Sequence, residues 1–121
     1  MDRLKQFGKS FSYAMRGLRY VTVHEKNFQN ELAMSFLAIA FMIYFQISRA
    51  EMVVIFLVIT GVLIMELFNT VVERVVDILK PRVHPYARLI KDIMAAGVLV
   101  SSIAAIVIGV IIFLPYILDR F

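Results

Sequence analysis

The sequence predicts an all-α membrane protein, with three transmembrane helices behind an N-terminal amphipathic surface helix. Three observations carry that expectation. The chain of 121 residues is 61% hydrophobic, too apolar for a soluble domain and too short for two ordinary ones. Long uncharged stretches recur along it: Leu32 to Ser48, Met52 to Met65 and Ile93 to Leu118. Ahead of them Leu4, Phe7, Phe11, Met15 and Leu18 repeat at helical spacing among Arg3, Lys5, Lys9, Ser12, Arg16 and Arg19, which is the pattern of an amphipathic helix.

One membrane domain follows, in five segments. Residues 1–30 form the surface helix and connector, and the stretch Val23 to Glu31 that joins the helix to the first span supplies Glu25 and Glu31. The spans are expected at 31–49, 51–80 and 91–118, against a hydrocarbon core that takes about 20 helical residues. The second apolar run is short, so its span depends on the helix continuing past Glu66. A tight turn at Ser48 to Glu51 makes the first two spans an antiparallel hairpin. Pro81 and Pro85 bracket a cytoplasmic loop over 81–90 that contains His84, because the residue before a proline disfavours helix. Late onset and a charged leader segment argue against a cleavable signal peptide.

Orientation follows the cations. Arg3, Lys5, Lys9, Arg16, Arg19 and Lys26 precede the first span, and Lys80, Arg82, Arg88 and Lys91 lie in or near the second loop. Arg49 and Arg120 lie at the opposite ends. The positive-inside rule puts the N-terminus in the cytoplasm and the C-terminus outside.

Composition excludes several chemistries. The chain has no cysteine and two separated histidines, so neither a disulfide framework nor a thiolate or His-rich metal site exists. A metal would be held by carboxylates, which favours a hard cation such as Mg²⁺. The net charge of +4 is spread along an apolar chain. Anionic lipid headgroups and phosphates are the expected partners, and no nucleic acid. Gly8-Lys9-Ser10 is no phosphate-binding P-loop, since Arg3 stands where that motif needs its first glycine.

The second span carries the chemistry. Glu66, Asn69, Glu73 and Asp77 fall within about 80° of one helix face. If the helix enters near Met52, about 20 residues at about 1.5 Å each bring it to the cytoplasmic boundary near Val71. Glu66 then lies about a turn inside hydrocarbon and Glu73 and Asp77 at headgroup level. Carboxylates are costly there and mark function by default. A membrane enzyme, an ion-coupled transporter and a structural assembly subunit all remain open from the residues alone. Lys91-Asp92 opens the third span at the same level, where it serves either binding or a packing salt bridge. Ala95, Ala96, Gly97, Ser101 and Ser102 allow close helix approach, and three spans enclose a polar site poorly, so a cyclic homo-oligomer is favoured. Met34, Met42, Met65 and Met94 read as packing residues, and Tyr44, Phe113 and Tyr116 as lipid-facing or interfacial ones.

The pattern Glu66-x-x-Asn69-x-x-x-Glu73-x-x-x-Asp77, with His84 and Lys91-Asp92, in a three-span chain of this length, resembles the prokaryotic integral-membrane diacylglycerol kinase and undecaprenol kinase family. Arg16-Gly17-Leu18-Arg19 and Glu25 before the first span match too. The resemblance implies a homotrimeric kinase of the bacterial cytoplasmic membrane that transfers the γ-phosphoryl group of ATP, with Mg²⁺, to a lipid alcohol. It implies Glu66 as general base, with Asn69 orienting the reacting groups. Glu25 and Glu73 would hold the metal, and Lys91 would contact phosphate. Asp77 and Asp92 would support the polar network or the nucleotide, and Lys9, Tyr13, Arg16, Arg19 and His84 would surround the nucleotide. Ala95-Ala96-Gly97 resembles the undecaprenol branch more than the diacylglycerol branch.

Overall fold

The computed structural model describes residues 2–121, and for 80–84 the backbone alone. The chain is helical throughout, as α1 (Asp2–His24), α2 (Lys26–Phe45) and α3 (Arg49–Arg120). Three segments are long and apolar enough to cross a membrane: Lys26–Phe45, Arg49–Leu79 and Pro85–Arg120.

α3 is not one rod. As a straight helix its 72 residues would span about 108 Å at about 1.5 Å per residue. Yet Tyr116 hydrogen-bonds Glu51 at 2.5 Å and Lys91 meets Asp77 at 2.5 Å. The arms Arg49–Leu79 and Pro85–Arg120 therefore lie antiparallel. Where a loop was expected over 81–90, the backbone is helical throughout Arg49–Arg120, with Pro81 and Pro85 inside that run.

The other joints are also tighter than the sequence suggested. The connector between α1 and α2 shrinks to Glu25, whose backbone is extended (φ −107, ψ 110). Gln29 Nε2 donates to the carbonyls of Thr22 and Val23 at 2.9 and 3.2 Å, satisfying acceptors that the end of α1 leaves free. Between α2 and α3 the reversal occupies Gln46 to Ser48 and not Ser48 to Glu51. Gln46 is left-handed (φ 51) and stops α2, as such a residue does at a helix C-terminus. Ser48 and Glu51 then form a reciprocal capping box, with bonds of 3.2 and 3.0 Å.

The apolar core sits at this turn end, where Met42, Ile47, Ile55, Ile112 and Phe113 are buried together. Phe113 is thus a core residue and not a lipid-facing one. It meets Phe41 edge-on at 5.7 Å, a favoured aromatic geometry. Tyr116 likewise turns inward to Glu51, while Arg120 stacks over Tyr44 at 5.0 Å. Between α2 and the two arms runs an apolar groove of about 450 Å³, with Phe113 and Ile117 near one end and Glu31, Ser35 and Ser102 near the other.

Candidate active site at the acidic end of the second span

Helical spacing brings Glu66, Asn69, Thr70 and Glu73 onto the inner face of α3, away from the core cluster. Glu66 is 2% exposed, Asn69 5% and Thr70 7%. Thr70 Oγ1 donates to the Glu66 carbonyl at 3.1 Å, which satisfies its hydroxyl within the helix. Asn69 Nδ2 donates to Glu73 Oε1 at 3.0 Å, one turn farther on.

Two acceptors are then left over. Glu66 Oε2 and Asn69 Oδ1 are buried without a hydrogen-bond partner. Buried polar atoms in native proteins are nearly always paired, and an orphan costs about 1–3 kcal/mol. The face is thus built to receive a donor, such as a hydroxyl group. Glu25, Glu31 and Glu73 all lie within electrostatic reach of Glu66, so negative charge accumulates around the orphaned oxygens.

Cations answer part of that charge. Lys91 Nζ pairs with Asp77 Oδ1 across the arms, with side chains 34% and 49% exposed. Asp92 does not join this pair; it faces Arg88 at 3.5 Å on an exposed surface, the local i,i+4 packing bridge. Arg74 Nη2 pairs with Glu25 Oε1 and links the α1–α2 joint to α3. The Tyr20 hydroxyl lies within reach of the same guanidinium.

Among the described residues no three His, Asp or Glu side chains stand close enough to hold an ion by themselves. Mg²⁺ needs no such cage, because one or two carboxylates suffice beside phosphate oxygens and water. Glu25 and Glu73 fit that donor set in chemistry, with Glu25 now engaged by Arg74.

The turns of α1 before Tyr20 stand apart from this face. Lys9, Tyr13, Arg16 and Arg19 are exposed. Arg16 lies over the Tyr13 ring at 5.6 Å. No hydrogen bond or ion pair among the described residues ties these four side chains to α3. The His84 side chain lies outside the described residues. Sequence reasoning missed Thr70 and Arg74. Both carried a signal: Thr70 follows Glu66 by four residues, on the same face, and Arg74 follows it by eight, at the edge of that face.

The comparisons with known proteins agree with one another. A family described as prokaryotic diacylglycerol kinase matches residues 12–113. Undecaprenol kinase of Bacillus subtilis is 36% identical over 114 residues, covering 94% of this chain and 93% of its own. Diacylglycerol kinase of Synechocystis is 32% identical over 111 residues, covering 91% and 63%. That of Escherichia coli is 27% identical over 99 residues, covering 82% and 81%.

Proposed function

Because the chain belongs to the prokaryotic diacylglycerol kinase family, we propose that it is a membrane lipid kinase that transfers the γ-phosphoryl group of ATP to undecaprenol. The single observation that carries the reading is the pair of orphaned acceptors, Glu66 Oε2 and Asn69 Oδ1, buried on a membrane-spanning helix. An acceptor alcohol supplies the donor that Glu66 Oε2 lacks. Glu66 then receives the hydroxyl proton, and Asn69, whose amide donates to Glu73, orients the reacting groups beside it. Phosphoryl transfer asks little else of a protein than alignment and charge neutralisation.

The apolar groove supports a lipid acceptor. Its Glu31 end lies toward Glu66 and the rest is lined by residues such as Ala38, Ile55 and Val62, suited to an isoprenoid or acyl chain. Lys91 contacts phosphate, and Asp77 and Asp92 steady the surrounding charges. Glu25 and Glu73 would hold the Mg²⁺ ion, which would supply positive charge to neutralise the phosphates.

α1 rests on the cytoplasmic leaflet with its apolar side chains in the interface, leaving Lys9, Tyr13, Arg16 and Arg19 for nucleotide. The N-terminus is cytoplasmic and the C-terminus outside, consistent with the distribution of Lys and Arg. Since these four side chains have no tie to the described side chains of their own α3, a cyclic homotrimer in which a neighbour's α1 completes each site suits the geometry. Diacylglycerol is the alternative acceptor, favoured by the names of the Synechocystis and E. coli relatives.

The test is a transfer assay with γ-labelled ATP and Mg²⁺ in mixed micelles containing undecaprenol or diacylglycerol, with Glu73→Gln as control. Label in undecaprenol supports the reading. Preferential label in diacylglycerol reverses the acceptor, and no label in either lipid from folded protein refutes it.

A further inference from the structure

Arg74 lies near two carboxylates that the proposed function gives to a divalent cation. Its guanidinium is ion-paired with Glu25 and lies within electrostatic reach of Glu73. Glu25 is the single residue between α1 and α2, and its carboxylate does not cap α2, so its charge is directed across to α3. Glu73 is held from the other side by Asn69. A fixed monovalent cation thus occupies the place where the negative charge of the α1–α2 joint meets that of α3. Without it, several carboxylates would face one another with little compensation, an arrangement that low-dielectric surroundings penalise.

The pair is built to exchange. The Arg74 side chain is 45% exposed and the Glu25 side chain 19%, so separating them dismantles no core. Exposed pairs are weak, whereas a divalent ion brings twice the charge. A guanidinium released beside a nucleotide also has a matching partner, since its planar fork bonds phosphate oxygens two at a time.

We infer that Arg74 is the resident counter-ion of the Glu25–Glu73 pair. It holds Glu25 while no metal is bound, yields that carboxylate when the ion arrives with nucleotide, and turns to the phosphates. This rests on the assignment of Glu25 and Glu73 to the metal. Arg74 is a positioning residue in the empty state and a phosphate contact in the loaded one.

The experiment measures Mn²⁺ binding to the purified full-length protein in micelles, without nucleotide, from the electron paramagnetic resonance of free Mn²⁺. Removing the competitor in Arg74→Gln tightens Mn²⁺ binding about fivefold, and in the same variant KM for ATP rises. Arg74→Lys keeps the charge but not the fork, so Mn²⁺ affinity stays near wild type while KM for ATP still rises. Unchanged or weaker Mn²⁺ binding in folded Arg74→Gln overturns the counter-ion role, and a normal KM in Arg74→Lys overturns the phosphate role. Glu25→Gln separates this from its premise. Loss of Mn²⁺ affinity there upholds the metal assignment, and unaltered affinity overturns that assignment together with the role of Arg74.

Discussion

Lys91 Nζ lies 2.5 Å from Asp77 Oδ1, though fourteen residues of one helical element separate them and a straight helix would hold them about 21 Å apart. The pair closes the acidic end of the hairpin, as Glu51 and Tyr116 close the other. It also brings an ammonium to the level of Glu73. Because both side chains are partly exposed, the pair itself contributes only about 0.2–1 kcal/mol. Asp77→Asn should therefore lower the melting temperature in micelles by a few degrees at most. Lys91→Ala should lower turnover by about tenfold or more, as loss of a charge-stabilising donor does. Melting curves and initial rates on the same preparations check both.

Glu66→Gln keeps the shape of the buried face and removes the base. Turnover should fall by about 10²–10⁴-fold, while ATP and Mn²⁺ binding stay near wild type. Equilibrium binding measured beside the transfer assay checks this. Normal turnover would remove Glu66 from the role.

Gly97 packs close against the other arm, since a Cβ there would stand 2.9 Å from Met65 Cε. Met65 adjoins Glu66, so Gly97→Ala displaces a neighbour of the orphaned carboxylate. Overpacking should cost about 1 kcal/mol and lower kcat more than it raises KM. Met65 is flexible at that end, and Met65→Ala in the Gly97→Ala chain should restore much of kcat. A double-mutant cycle with no coupling would contradict the contact.

Tyr116→Phe removes the hydroxyl that bonds Glu51 and leaves the ring in place. Stability should drop by about 1 kcal/mol, with KM for ATP unchanged because the latch lies at the far end of the spans. Thermal unfolding and steady-state kinetics check this. An altered KM would mean that the two ends of the hairpin are coupled.

The spans and the acidic face were legible because both are local. An uncharged run long enough for hydrocarbon and a set of polar residues at helical spacing depend on the rise and twist of one helix, and Glu66, Asn69 and Glu73 share a face for that reason alone. Element boundaries were less legible. Pro81 and Pro85 read as breakers in sequence yet lie within the helical run of α3, and Glu25 alone joins two helices where a longer connector was expected, because backbone acceptors there found Gln29.

Partners across helices are a different matter. Sequence spacing suggested Lys91 beside Asp92, but Lys91 meets Asp77 and Asp92 meets Arg88. Tyr116 has the composition of an interfacial residue and instead reaches Glu51. Arg74 gave no sign of its bond to Glu25, which stands 49 residues earlier. Such pairs are fixed by the register and azimuth of one helix against another, which the left-handed turn at Gln46 and the close approach at Gly97 set. Hydropathy and periodicity along a single strand of sequence hold the number of spans and the face that bears the acids. They hold no measure of the distance between two helices, and it is that distance which gives Glu25 and Asp77 their cations.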